Sequence, residues 1–321
     1  MSWQYLIRRL AQLAPTVAAI LLTGFLLLHL APGDPVLALA GENGDAAYYA
    51  AMRERFGLDQ SFVTQLATYA SNVLRGDLGT SYVQGRPVAQ LIAERLPATL
   101  LLTGSALLLS STVGVVIGTF TATRHGRWPD LGLNAAALAV YAAPVFLVGQ
   151  VAILLLALRT GWFPVQGMSA ADSDATGAGK ALDVAHHLAL PAVTLASQEI
   201  AVVARLTRAG LVDELDSDYV RTARAKGVTE RAVLYRHALR RPLLPVVTVL
   251  GGRVGHLFSG AVLVEAVFGW PGIGRLLVSA IQTRDAPVVL GVFLLVAISV
   301  VVANLVTDIV YVWLDPRVRY R

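Results

Sequence analysis

Several ionisable residues lie within apolar stretches long enough to cross a membrane, and three of them are unusual there. Glu199 falls in the stretch 188–207, while Arg253 and His256 fall in the stretch 242–268. An unpaired charge at the centre of a bilayer costs at least about 2.5–3.5 kcal/mol, so such charges pair or line a water-filled path. Counted from Arg208 and from Pro242 at 1.5 Å per residue, Glu199 and Arg253 lie at similar depths of roughly 13 and 16 Å. Mutual pairing, pore lining and contact with another subunit are therefore all open.

Motifs for catalysis are absent from the sequence. The nearest match to a phosphate-binding loop, residues 177–180, lacks the first glycine and the hydroxyl residue after the lysine. Neither His-Glu-x-x-His nor Gly-x-Ser-x-Gly occurs, and there is no cysteine. The adjacent residues His186 and His187 point to different sides of a helix, which makes them a poor chelate. The sequence therefore predicts no catalytic site, no cofactor site and no metal site in this chain.

The basic segment 208–241 has the pattern of two short helices that meet at a glycine. Asp218 suits the N-cap of the first helix, and Gly227 suits the position just past its end. Thr229 suits the N-cap of the second helix, which is predicted to continue to Arg241 before a proline. A solvated basic loop is the simpler alternative interpretation.

The first of these helices has the composition of a docking surface. It carries three small residues, which let another surface approach the backbone closely, and basic residues that would orient the partner electrostatically. The candidate contact residues are Asp218, Tyr219, Arg221, Thr222, Ala223, Arg224, Ala225, Lys226 and Gly227.

Six apolar stretches must position these residues. Of the 321 residues, 55% are hydrophobic and only 15% are charged, which is too little charge to cover a soluble protein of this size. A membrane-spanning helix needs roughly 20 apolar residues. The stretches that qualify are 10–31, 99–122, 131–158, 188–207, 242–268 and 287–314. We therefore predict an all-α membrane protein with six transmembrane helices.

The distribution of Lys and Arg predicts how these helices are oriented. Sixteen of these residues fall in the connecting segments on one side and nine on the other, although the second set covers more residues. Cytoplasmic loops carry the excess of positive charge, so both termini and the segment 208–241 are predicted to lie in the cytoplasm. The net charge of +5 is thus explained by topology, and no nucleic-acid partner is implied.

A long extracytoplasmic segment, residues 32–96, follows the first predicted span. Two helices are predicted within it, at 46–56 and 61–74, because glycines break the pattern after each. We therefore divide the chain into 1–98, the first span with its external loop, and 99–321, the five-helix transmembrane domain.

The segment 218–245 resembles the "EAA" loop of ABC importer permeases, in the form used by dipeptide, oligopeptide and nickel permeases. Other segments resemble further signatures of this family, in the same order along nearly the whole chain. They are Arg8-Arg9-Leu10, 30–35, 76–81, 187–192, 265–274 and 314–317. Each motif is weak alone, but six in order are specific.

This chain also departs from the family pattern. Arg221 and Thr222 replace the acidic residue and the first alanine of the general motif, as is common in this branch. The charges within spans, Glu199 and Arg253 with His256, are more unusual.

The resemblance implies a type I ABC importer permease fold with a long extracytoplasmic loop after the first helix and a cytoplasmic coupling helix. It implies that this chain, as the first of two homologous permeases, forms half of a pathway through the bacterial cytoplasmic membrane. Two ATPase subunits, alike or different, would bind inside and carry ATP and Mg, and a substrate-binding protein would deliver cargo outside. Peptide is the commonest cargo in the family. Nickel, another small solute and a secondary transporter are the alternatives.

Overall fold

The computed structural model describes residues 15–26, 46–55, 59–170 and 176–314, and within these ranges the chain forms helices and no strand. The helices are α1 (Pro15–Leu26), α2 (Ala46–Arg55), α3 (Phe62–Leu74), α4 (Val88–Ala122), α5 (Trp128–Ala142), α6 (Val145–Ala152, continuing as the π-helix Ile153–Arg159), α7 (Ala178–Leu215), α8 (Asp218–Ala225), α9 (Glu230–Ala232, continuing as the π-helix Val233–Ala238), α10 (Leu243–Gly252), α11 (Val254–Val267), α12 (Ile273–Gln282) and α13 (Ala286–Leu314). The two helices predicted in the external segment are present as α2 and α3.

Among the described residues, three helices are long and apolar enough to cross a membrane, namely α4, α7 and the part of α13 up to Thr307. Two bent pairs, α5 with α6 and α10 with α11, pass the same test together, which makes up to five spans by length and composition. The remaining predicted span is 10–31. Its middle is the described helix α1, and its two ends lie outside the described residues. The number of six spans therefore stays a prediction.

Both bent spans break where the sequence weakens the helix. Pro144 disfavours helical geometry at the residue before it, and Ala143 is accordingly extended with ψ of 137°. The axes of α5 and α6 differ by 107°. The second break, of 59°, follows Gly251 and Gly252 and lies at Arg253, where ψ is 1°. Each of these predicted continuous spans is thus two helices.

The chain forms two compact units. The predicted boundary after residue 98 separates them, but residues 272–302 also belong to the N-terminal unit. The first unit contains the described parts of 1–98 and 272–302, and the second contains those of 99–271 and 303–321. The core of the first unit joins the start of α4 to α12 and α13. Its buried members are Val88, Leu91, Ile92, Ile273, Leu276, Ala280, Val288 and Val292.

Within the first unit, a buried carboxylate holds the external loop that precedes α4. The Ser81 hydroxyl donates to Asp285 at 2.5 Å, and the backbone N–H groups of Tyr82 and Val83 donate at 3.0 and 3.3 Å. Ser81 and Asp285 are each only 2% exposed. Burial, and then the Asp285 charge, raise the pKa of the Tyr82 hydroxyl. The loop is therefore fastened to the turn between α12 and α13 by a side chain about 200 residues away in sequence.

Within the second unit, glycines on one face of α4 allow close contact with α7. A Cβ atom on Gly114 would lie 2.6 Å from Cβ of Val203. One on Gly118 would lie 2.5 Å from the carbonyl oxygen of Ala204. Real Cβ contacts are not this short, so only glycine fits at these two positions. The spacing Gly-x-x-x-Gly is typical of helices that pack backbone to backbone in membranes.

This contact predicts that Gly118→Ala destabilises the protein. The atom in the way belongs to the backbone of Ala204 and cannot rotate aside, so we expect a loss of about 1–3 kcal/mol from overpacking. The measurement is the melting temperature of the purified complex in detergent. Gly104→Ala on the same helix is the matched control, because its new Cβ meets no atom within 4 Å. Equal melting temperatures for the two variants would contradict this packing.

Candidate functional site

The predicted docking helix is α8, and it begins one residue earlier than predicted. Ser217, with ψ of 151°, is the N-cap residue, and Asp218 is the first helical residue with a fully exposed side chain. The Ser217 hydroxyl donates to the carbonyl oxygen of Glu214 at 2.6 Å, so it does not cap α8. The prediction of Asp218 as N-cap is therefore wrong. Its carboxylate instead lies in the first turn, where the helix dipole favours negative charge.

The end of α8 is the predicted glycine stop. Gly227 has a φ of +78°, and its N–H donates to the carbonyl oxygen of Arg224 at 2.9 Å. The N–H of Val228 donates to the carbonyl oxygen of Ala223 at 3.2 Å. These two bonds form the Schellman arrangement, which favours glycine at the left-handed position. Gly227 thus sets the direction in which the chain leaves α8.

The second short helix, α9, has Thr229 at its N-cap position as predicted, although the Thr229 side chain makes no capping hydrogen bond, and it ends earlier than predicted. It changes to π-helical geometry at Val233 and ends at Ala238, so the predicted end at Arg241 is wrong. The wider turn is closed by the N–H of Leu239, which donates to the carbonyl oxygen of Leu234 at 2.9 Å. An ion pair between Arg224 and Glu230, 2.8 Å long, connects α8 to α9.

One face of α8 packs onto the chain itself. Val220 is fully buried and Ala223 is 8% exposed, and they share a hydrophobic cluster with Leu211 of α7 and Val233 of α9. The expectation that Ala223 offers a small surface to a partner is therefore corrected, because its size serves contact within the chain. The exposed surface of α8, here called the docking face, consists of Asp218, Arg221, Thr222, Arg224, Ala225, Lys226 and Gly227.

Polar contacts fasten α8 to the end of α7. The hydroxyl of Tyr219 donates to the carboxylate of Glu214, which also pairs with Arg241 at 3.3 Å. The Arg241 guanidinium lies over the Tyr219 ring at 4.6 Å. Burial and the hydrogen bond to Glu214 raise the pKa of Tyr219. A displacement of α8 must therefore move the end of α7 or break these contacts and the cluster beneath them.

The charges predicted within spans form an ion pair. Nε of Arg253 donates to Oε2 of Glu199 at 2.7 Å. Glu199 is 1% exposed, while the Arg253 side chain is 26% exposed. Of the alternatives left open by the sequence, mutual pairing is the one that the structure shows. His256 is exposed on α11 and takes no part in this bond.

Neighbouring residues of α7 bind both breaks in the bent spans. The side chain of Gln198 donates to the carbonyl oxygen of Ala143 at 2.9 Å, at the break between α5 and α6. Glu199 binds Arg253 at the break between α10 and α11. Broken helices within a membrane need such partners, because their terminal backbone groups lack intrahelical bonds. The middle of α7 therefore holds two discontinuous helices together.

A second buried ion pair was not identified from the sequence. Asp130 is fully buried, and Arg208 of α7 binds both of its oxygens, with Nε at 2.5 Å and Nη2 at 2.6 Å. The N–H of Gly126 and the amide of Asn134 also donate to this carboxylate, at 2.9 and 2.7 Å. The spacing of Asp130 and Asn134, four residues on one helix, was the available local signal. From the sequence, Arg208 is predicted only to be one of the cytoplasmic basic residues that set topology.

Comparison with known proteins identifies the family. The family described as "Binding-protein-dependent transport system inner membrane component" matches residues 114–320, and the corresponding N-terminal family matches residues 2–103. The glutathione transport system permease protein GsiC of Salmonella paratyphi A is 40% identical over 318 residues, which cover 99% of each chain. GsiC of Escherichia coli (strain K12) is 40% identical over 317 residues, with the same coverage.

Solved structures show the same fold. A chain of the inward-facing MetNI methionine ABC transporter superposes with a TM-score of 0.55 at 16% identity, covering 71% of this chain and 97% of that chain. The relatives are transport components and not enzymes themselves. This chain belongs to the family of binding-protein-dependent transport system inner membrane components and is a multi-pass permease subunit of an ABC importer.

Proposed function

We propose that this chain forms half of the transmembrane pathway of an importer for small peptides, including glutathione. The observation that carries this proposal is the 40% identity to permeases named for glutathione transport, which extends over 99% of both chains. Glutathione is itself a tripeptide, so the proposed cargo lies within the peptide class that the sequence motifs suggest. A second homologous permease completes the pathway, and a substrate-binding protein delivers the cargo outside.

The docking face of α8 is the proposed contact for an ATPase subunit. It lies within the basic segment 208–241, which the distribution of charge assigns to the cytoplasm along with both termini. ATP and Mg belong to two ATPase subunits, whose closure would move the docking face. The ordered cap at Gly227 and the packed underside of α8 support this role, because a docking element must move as a rigid body.

The helix α7 is the proposed element that carries this motion into the membrane. Its end contacts α8 through Leu211 and Glu214, and its middle holds both helix breaks through Gln198 and Glu199. From Glu199 to Leu215 the helix is about 24 Å long, at 1.5 Å per residue. A shift of its end would therefore change the contacts that hold the discontinuous helices.

Uptake by the reconstituted complex tests the proposed cargo. The permease is assembled in vesicles with its second permease, ATPase subunits and binding protein, and radiolabelled glutathione, a dipeptide, a tripeptide and Ni²⁺ are supplied outside with ATP inside. We expect uptake of glutathione or another small peptide and no uptake of Ni²⁺ above vesicles without ATP. Uptake of Ni²⁺ alone would overturn the proposal.

The proposed coupling role predicts that Gly227→Val uncouples transport. A left-handed residue with a side chain costs roughly 1–2 kcal/mol, so the end of α8 would be re-aimed, and we expect peptide uptake to fall roughly tenfold or more. The measurements are uptake and the amount of ATPase subunit retained on the purified complex. The control is Gly161→Val, which lies far from α8 in sequence. Gly161 also has a positive φ, of +65°, and at both glycines a new Cβ atom would meet no atom within 4 Å, so the backbone strain is matched. Normal uptake by the Gly227 variant would show that this turn has no role in coupling.

A further inference from the structure

The guanidinium of Arg253 has hydrogen-bonding capacity beyond its bond to Glu199. That bond uses Nε. The guanidinium also interacts with the side chain of Tyr141. Arginine has five N–H donors in a flat fork, so the two terminal nitrogens can bind a further group. The remaining exposure of 26% shows that part of this side chain is accessible.

Two further polar side chains lie near Arg253 and are also exposed. Tyr141 is 41% exposed at the end of α5, just before the helix break. His256 is three residues beyond Arg253, in the first turn of α11, and it is also exposed. These three residues, here called the Arg253 patch, are accessible polar side chains beside the breaks of two apolar spans.

The position of the Arg253 patch argues against contact with lipid. Its anchor, Glu199, lies 21 residues after the start of α7 and 16 before its end, which is near the middle of this helix. Charged side chains at such depth face protein or a water-filled path, because exposure to hydrocarbon is costly. The non-helical backbone at a helix break must likewise face protein or a water-filled path, and in transporters such discontinuous helices surround the path of the substrate.

The chemistry of the patch suits a carboxylate. A guanidinium binds a carboxylate through two parallel N–H bonds, and its planar fork makes this geometry specific. Glu199 is buried on the other side and fixes the orientation of the fork. Tyr141 can donate one more hydrogen bond.

We propose that the Arg253 patch binds the carboxylate of the transported peptide within the pathway, with Arg253 as the binding residue and Glu199 as its positioning residue. This inference rests on the proposed peptide function. It makes the permease, and not only the binding protein, sensitive to the free carboxylate of the cargo.

The test compares a peptide with its C-terminal amide in wild type and in variants of Arg253. The peptide is one that the wild-type complex imports, and the same binding protein is used throughout, so its own preference cancels from the ratio of variant to wild type. We expect Arg253→Gln to reduce uptake of the free acid by about 10- to 100-fold, as for a lost bond between charged groups, and uptake of the amide far less. Arg253→Lys, which keeps the charge but lacks the fork, should give an intermediate loss.

Two further variants separate binding from folding. Glu199→Gln/Arg253→Gln leaves no buried charge, and it should show the same selective loss for the free acid. Arg205→Gln removes an exposed arginine from α7 and is the matched control, which should treat acid and amide alike. Equal losses for acid and amide, or loss of the second permease from the complex, would overturn the proposal. Failure of the wild-type complex to import any peptide would instead refute the proposed function.

Discussion

Arg253→Gln should destabilise the permease by about 3–5 kcal/mol, because it leaves a buried carboxylate without its partner. Glu199 is 1% exposed, and its second oxygen, Oε1, is buried without a hydrogen bond from the described residues. The carboxylate therefore depends on Arg253 for compensation of its charge. Glu199→Gln should cost less, since the Arg253 side chain is partly exposed and can be hydrated.

The double variant Glu199→Gln/Arg253→Gln should be more stable than Arg253→Gln alone. With both charges removed, no ion remains buried, and a pair of neutral side chains of similar size fills the site. The measurement is the melting temperature of the assembled complex in detergent, for wild type, both single variants and the double variant. The coupling energy of the pair is obtained from this cycle. If the two single effects simply add, the contact between Glu199 and Arg253 contributes nothing to stability.

Arg208→Gln should have an effect of similar size, about 3–5 kcal/mol, because Asp130 has no exposed surface at all. Arg208 binds both oxygens of this carboxylate, so its loss removes two short charged hydrogen bonds at once. The amide of Asn134 and the N–H of Gly126 would remain, and they are neutral donors. The expected result is a complex that melts well below the wild-type temperature.

Arg205→Gln is the matched control for this variant. Arg205 lies three residues earlier on α7 and is exposed, so its replacement should change stability by less than about 0.5 kcal/mol. The double variant Asp130→Asn/Arg208→Gln should recover part of the loss, since it removes the buried charge. Similar melting temperatures for the Arg208 and Arg205 variants would show that the buried pair is not required for stability.

The sequence alone determined the features that depend on neighbouring residues. Apolar stretches of about 20 residues predict membrane helices, because the bilayer selects them by length and composition. The stop at Gly227 and the N-cap position of Thr229 were predictable, since helix ends depend on residues within a single turn. The depths of Glu199 and Arg253 also follow from counting along two helices. Their pairing was thus expected as one of several outcomes.

The structure decided which faces meet, because this depends on helix rotation and on residues far apart in the chain. Sequence could not tell that Ala223 faces α7 and not a partner, since a short helix is oriented by what lies beneath it. It did not reveal that Arg208 reaches Asp130, 78 residues away, or that Asp285 holds Ser81, 204 residues away. Long-range contacts of this kind arise only when helices pack, and packing selects one rotation among several that hydropathy permits equally.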